Sequence, residues 1–125
     1  MKANELRIGN LLEHDGMVVV ADGVSILDIW SATGNDYEPT PLTTDWLKRL
    51  GFDQESSGSS KDGWWQSYGI EETTDKFGLQ YILDIEKFEF YYDVGSFQQE
   101  LEIKHVHQLQ NLYFAITGEE LTLNN

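Results

Sequence analysis

Hydrophobic and polar positions partly alternate along the first thirty residues. The alternation over residues 6–13 indicates a strand, residues 14–16 are typical of a tight turn, and residues 17–21 supply a return strand. A second turn signal at residues 22–23 precedes residues 25–30, which again favour a strand. The pattern therefore predicts a small β-meander, or barrel-like unit, of three short strands.

The hydrophobic period changes to that of a helix after residue 42. Thr43 is suited to cap a short helix, Asp45 lies in its first turn, and Gly51 is suited to end it. Its apolar stripe consists of Trp46, Leu47 and Leu50. Phe52 follows the glycine, and it is placed to fold back on the last turn in a Schellman motif.

Residues 53–63 are small and polar, which predicts a flexible loop. Beyond this loop the pattern predicts strands over four segments, which are 64–70, 77–85, 88–94 and 98–103. We expect them to form an antiparallel sheet with one aromatic face and one acidic face.

An amphipathic helix is predicted near the C-terminus. Its stripe recurs at i, i+3, i+4 and i+7, and Gly118 is placed to end it; the stripe consists of Leu109, Leu112, Tyr113 and Ile116. We expect this helix to cover the aromatic face of the second sheet. The predicted class is therefore α+β, in a single domain over 1–125. Its halves, 1–52 and 64–125, are candidate subdomains on either side of the loop.

Composition excludes several chemistries. The 125 residues include sixteen aromatic side chains, so we expect a folded domain, and they include no cysteine. Disulfides, thiolate zinc sites and cysteine nucleophiles are therefore excluded. The first residues show no signal-peptide pattern, and no run approaches the ~18 apolar residues of a membrane span. We expect a soluble, cytoplasmic protein.

The charge balance narrows the range of partners. The chain carries 22 acidic and 8 basic residues, a formal net charge of −14. Nucleic acids and anionic membranes are disfavoured as direct partners, since proteins that bind them present clustered lysine and arginine. A charge of this sign either keeps a small protein soluble or attracts a basic protein.

Aromatic side chains are the main candidates for a binding surface. Neighbouring residues of a strand face opposite ways, so one member of each adjacent pair points away from a core. Exposed rings of this kind often anchor protein contacts. The candidates are Trp64, Trp65, Tyr68, Tyr91 and Tyr92. Stacking on nucleic-acid bases is disfavoured, because Lys87 is the single basic residue over 77–99.

His105 and His107 are candidate metal ligands, because imidazole is a common ligand and alternate residues of a strand share a face. On a helix the two rings diverge, and no His-x-x-x-His or paired Glu-x-x-His pattern is present to complete a ligand set. The competing interpretation is a strand-to-helix junction whose imidazoles hydrogen-bond unpaired helix amides. We predict no catalytic residue, no metal and no cofactor, since the common nucleotide-binding and hydrolase motifs are absent from the sequence.

Three stretches resemble a family of small uncharacterised proteins encoded by phages, prophages and mobile elements of gut bacteria. They are NELRIGN (4–10), PLTTDWLKRLGF (41–52) and HVHQLQNLYFAITGEEL (105–121). The resemblance implies an accessory protein without a known catalytic site. Shared packing could also account for it, because the three stretches coincide with the first strand, the capped helix and the C-terminal helix.

The leading hypothesis is a non-enzymatic accessory protein that binds another protein, and the candidate partners are a basic protein and a second copy of this chain. One alternative is a nucleic-acid mimic that inhibits a DNA-binding protein. Another is a protein that sequesters a small ligand or nucleotide, with Arg7, Lys48 or Arg49 converging on a pocket. The least favoured is an enzyme that uses the two C-terminal histidines and nearby acids.

Overall fold

The structure, a computed structural model, describes residues 5–30, 37–60, 63–70, 77–94, 97–121 and 123. The strands are β1 (Leu11–His14), β2 (Met17–Val20), β3 (Tyr37–Pro39), β4 (Asp53–Ser60), β5 (Gly63–Gly69), β6 (Gly78–Ile82), β7 (Lys87–Val94) and β8 (Phe97–Ile103). The helices are α1 (Gly23–Trp30), α2 (Thr44–Arg49) and α3 (Val106–Thr117), with a 3-10 turn at Leu83–Ile85. The predicted α+β class is confirmed.

The chain divides into two compact units, and the division does not fall at residues 53–63. The first unit comprises Met1–Pro41 with His105–Leu112, and the second comprises Leu42–Lys104 with Tyr113–Asn125. No helix among the described residues is long and apolar enough to cross a membrane.

The first unit is built on a three-stranded antiparallel sheet in the order β2, β1, β3. The third strand is not the predicted one, because residues 25–30 belong to helix α1. The strand prediction for this segment is therefore wrong. Ile26 and Ile29 lie three residues apart, so both reach the small core from one face of a helix. That core consists of Leu6, Leu12 and Ala21.

Helix α2 begins and ends as predicted. The Thr43 hydroxyl accepts a hydrogen bond from the Trp46 amide at 3.2 Å. At the other end, the Phe52 amide donates to the Leu47 carbonyl at 2.9 Å, and the Gly51 amide donates to Lys48 at 3.1 Å. These two bonds, with Gly51 at φ 92°, form a Schellman motif. The predicted cap and closure are confirmed.

The second unit contains a five-stranded antiparallel sheet in the order β4 to β8. Pairing aligns Tyr68 with Leu79, and Leu79 with Phe90, so these buried residues share one face. Gln80 pairs with Glu89, and Glu89 pairs with Glu102, so the other face is polar and acidic. The aromatic face is confirmed for the described side chains, whereas the other face is mixed, because Trp65 and the buried Ile82 lie on it together with Glu89 and Glu102.

Strand β4 occupies most of the segment that the sequence predicts as a flexible loop. Residues 53–60 are polar and mostly exposed, yet they pair with β5 along their whole length. The loop prediction is therefore wrong for these residues. Pairing with a neighbouring strand overrides their low strand propensity.

Helix α3 occupies the predicted position. Its first amide, on Val106, donates to the Thr40 carbonyl at 2.8 Å, and Gly118 follows its last residue with φ 76°. In the second unit, the Tyr113 ring packs edge-on against Phe77 and Phe52, with centroid distances of 5.1 and 6.1 Å. This half of the helix therefore covers an aromatic cluster, as expected.

Candidate binding surface

Trp64 and Trp65 lie on opposite faces of β5. Trp65 is on the polar face, but it is half-buried because its indole lies over Gly58, its pairing partner in β4. A Cβ atom at Gly58 would lie 2.7 Å from Trp65 Cζ2, so this glycine leaves the space that the ring occupies. Trp64 is on the core-facing side, yet it is 60% exposed. The core-facing tryptophan is therefore the more exposed of the two.

Tyr68 belongs to the core of the second unit. It is 3% exposed, and its hydroxyl donates a hydrogen bond to Gln66 Oε1 at 2.8 Å. Burial raises the pKa of Tyr68, and the neighbouring Tyr81 adds to this shift. The backbones of Tyr91 and Tyr92 lie in β7, but their side chains are outside the described part of the structure. Trp64 is thus the one largely exposed ring among the aromatic candidates whose side chains are described.

Apolar residues of the 3-10 turn lie near the start of β5. The Asp84 carboxylate lies against Gly63, the residue before Trp64. On either side of Asp84, Leu83 and Ile85 are exposed. The end of the second sheet therefore presents a small apolar surface next to an acidic side chain.

His105 lies at the predicted strand-to-helix junction. It forms an isolated bridge with Pro41, and its amide donates to Gln108 Oε1 at 3.1 Å. This bond is the glutamine half of a capping box. The His105 and His107 rings are stacked, with centroids 5.7 Å apart and an interplanar angle of 11°.

His107 is almost fully buried, at 2% exposure, and neither ring nitrogen has a hydrogen-bond partner among the described residues. The expectation that this imidazole bonds a helix amide is therefore wrong. Burial lowers the pKa of His107 and His105 lowers it further, while Glu5 acts in the opposite direction. The neutral imidazole is the favoured form. Within the described ranges, no group of three or more histidine or acidic side chains is arranged to hold a metal ion.

A buried polar network in the first unit joins two stretches that lie about a hundred residues apart. Gln110 Oε1 accepts from the Leu11 amide at 2.8 Å, and Gln110 Nε2 donates to the Gly9 carbonyl at 3.2 Å. Asn111 Oδ1 accepts from Arg7 Nε and from Asn10 Nδ2, each at 2.8 Å. The network therefore ties the start of β1 to helix α3.

This network was not predicted from the sequence, where Arg7 was instead a candidate to line a ligand pocket. Arg7 instead contacts the Asn111 side chain and the Gln110 carbonyl. Lys48 and Arg49 belong to the second unit, where the Arg49 guanidinium lies 4.0 Å from the ring centroid of Trp46. The sequence contains one signal of this network. Gln110 and Asn111, which carry amide side chains, directly follow Leu109 in the apolar stripe of helix α3.

The first unit exposes a concentration of large apolar side chains. The described residues include twelve exposed large hydrophobic side chains, and half of them lie within residues 8–27. These six are Ile8, Met17, Val18, Val20, Val24 and Leu27. Exposed acidic residues in the same segment include Asp15, in the turn before β2, and Asp22, directly before α1. This exposure was not predicted from the sequence, because the segment was assigned to a small β-meander without a prediction of which side chains face solvent.

No family model matches this chain, and comparisons with curated proteins and with solved structures also find no match. Its function is therefore inferred from the geometry of its own residues.

Proposed function

We propose that the protein is a non-enzymatic binding protein for a basic protein partner, and that it is an accessory factor of a phage or mobile element. The observation that carries the binding proposal is that six of the twelve exposed large apolar side chains of the described residues lie within residues 8–27. Scattered apolar side chains are normal on a protein surface, whereas contiguous exposed apolar patches mark interaction sites, and we propose that these side chains contribute to such a patch.

The charge of the chain selects the class of partner. A net charge of −14 repels acidic proteins, and it accelerates association with basic ones. Asp15 and Asp22 place negative charge next to the exposed apolar residues of β2 and α1. The chemistry of the surface therefore suits a partner that combines apolar contacts with lysine or arginine.

Capture from a bacterial host lysate at two salt concentrations tests this proposal. We expect the protein to retain a basic protein at low salt and to release much of it at high salt, since salt screens exposed charges. The double variant Asp15→Asn/Asp22→Asn should weaken capture. The matched control Asp53→Asn/Glu119→Gln removes the same charge from exposed positions in the second unit, and it should leave capture unchanged. If nothing is retained above bare resin, the proposal is wrong.

A second candidate function is supported by the acidic face of the five-stranded sheet. Glu89 and Glu102 are directly opposite each other in neighbouring strands, a like-charge arrangement that is unfavourable for folding alone. Glu89 is buried, and Lys87 lies 2.9 Å from it and compensates its charge, so Glu102 supplies the exposed charge of this pair. Such a face could imitate nucleic-acid phosphates towards a DNA-binding protein.

Competition with duplex DNA for a nonspecific basic DNA-binding protein distinguishes this candidate. A mimic should displace the DNA at low salt, and Glu102→Gln should weaken the displacement. Glu38→Gln, at an exposed acidic position in the first unit, provides the matched control. Equal competition by the wild type and both variants would exclude a specific role for this face.

A further inference from the structure

Strand β2 forms one edge of the three-stranded sheet. It pairs with β1 on one side, and no strand of the described residues pairs with its other side. Its sequence, Met17-Val18-Val19-Val20, is entirely apolar and mostly β-branched, which favours extended backbone. The edge is thus formed by residues that pair readily with another strand.

The backbone of β2 presents hydrogen-bonding groups along this outer edge. The amide of Ala21, directly after β2, donates to the Asn10 carbonyl at 2.7 Å, so it points towards the β1 side of the sheet. Amide direction alternates along a strand. The N–H and C=O groups of Val18 and Val20 therefore point away from β1, and they offer two donors and two acceptors to an incoming strand.

Within β2 itself, three of the usual protections against strand addition are absent, namely charged residues, proline and a bulge. Natural edge strands carry charges, proline or bulges that prevent pairing with another chain. In β2, Met17, Val18 and Val20 are 71%, 41% and 62% exposed, and the register with β1 is continuous. An apolar, regular and exposed edge of this kind is suited to binding an extended segment.

We propose that β2 binds an extended segment of the basic partner as an additional strand, an inference that rests on the proposed function. Asp15 and Asp22 flank β2 at its two ends. A matching segment therefore has apolar residues at its centre and a lysine or arginine at each end. A second copy of this chain fits poorly, since antiparallel pairing of two β2 strands would bring Asp15 of one copy towards Asp22 of the other.

A synthetic peptide provides a direct probe, and its sequence is Lys-Val-Thr-Val-Thr-Val-Lys. We expect titration to shift the backbone amide resonances of Val18 and Val20 in a saturable manner, and added salt to weaken binding. Two control peptides test the mode of binding. A version with glutamate at both ends tests charge, and a version with alternate backbone amides N-methylated tests strand pairing. Both should bind at least about tenfold more weakly.

Two variants at equally exposed positions test where the peptide binds. Val20→Lys adds a positive charge on the edge strand, whereas Leu27→Lys adds the same charge at an equally exposed position on helix α1. Circular dichroism verifies that both variants are folded. The first should weaken peptide binding at least about tenfold, and the second should change it less than about twofold.

Several results would overturn the inference. They are the absence of saturable shifts at Val18 and Val20, equal binding of the N-methylated peptide, or an equal loss in the Leu27→Lys variant. Concentration-dependent dimerisation that Val20→Lys abolishes would assign the edge to a second copy instead. If lysate capture survives Val20→Lys unchanged, the strand-addition inference fails while the proposed function stands. If the wild type captures nothing, the proposed function itself fails.

Discussion

The Gln110→Leu substitution tests whether the buried polar network holds the first unit together. Gln110 is 3% exposed, and its side chain bonds the Leu11 amide at 2.8 Å and the Gly9 carbonyl at 3.2 Å. Leucine fills a similar space but has no donor or acceptor. The change therefore removes both hydrogen bonds without opening a large cavity.

The expected loss of stability follows from the Leu11 amide, which the substitution leaves without an acceptor. Each intact hydrogen bond contributes about 0.5–1.5 kcal/mol net, and a buried amide left without its acceptor costs about 1–3 kcal/mol. Leu11 is 4% exposed, so water cannot easily replace the lost acceptor. We therefore expect Gln110→Leu to lower the free energy of unfolding by about 2–4 kcal/mol.

Urea unfolding measures this loss, and hydrogen exchange of the Leu11 amide locates it. Gln108→Leu is the matched control, because Gln108 is an exposed glutamine of the same helix that bonds the His105 amide. Loss of this cap should cost about 1 kcal/mol or less. If both variants lose equal stability, or if Leu11 exchange is unchanged in Gln110→Leu, the network does not stabilise the unit as argued.

Three further predictions concern single positions. Thr43→Ala removes the acceptor of the Trp46 amide and should destabilise the second unit by about 1 kcal/mol in urea unfolding, whereas a loss below about 0.3 kcal/mol would contradict the role of the cap. Gly58→Ala should displace the indole of Trp65 and shift tryptophan fluorescence, and an unchanged spectrum and stability would contradict the close packing. Burial holds the pKa of His107 below its ordinary value of about 6.5, so the stability that depends on the neutral ring is present above that pH and is lost as pH falls. His107→Leu should therefore gain stability relative to wild type as pH falls below about 6.5, and parallel pH profiles of unfolding free energy would refute this expectation.

Local signals were sufficient to predict helices α2 and α3. The threonine cap at Thr43 and the glycine ends at Gly51 and Gly118 act through neighbouring backbone groups, so they can be recognised in the sequence. The alternating strands of the second sheet were predicted for the same reason, since a two-residue period records which face is buried.

The predictions that were wrong concern segments whose local structure is determined by residues distant in the sequence. Over residues 25–30, Ile26 and Ile29 suit either a strand or a helix, and packing against the core of the first unit selects the helix. Strand β4 has little intrinsic preference for its conformation, and it forms through pairing with β5. The exposure of Trp64 and the burial of Trp65 depend on where the core ends and on the glycine across the strand pair, neither of which is encoded within β5 itself.

The polar network joins two of the three stretches on which the proposed link to mobile-element proteins rests. Arg7 and Asn10 lie in the first resembling stretch, Asn111 lies in the last, and their side chains bond one another. Because these residues satisfy each other inside the first unit, a protein that shared both stretches would share this packing, whether or not it shared a function. Val18 and Val20, which are proposed to contact the partner, lie outside all three stretches. Sharing those stretches would therefore not determine the strand that β2 is proposed to bind, and the partner has to be identified from this edge.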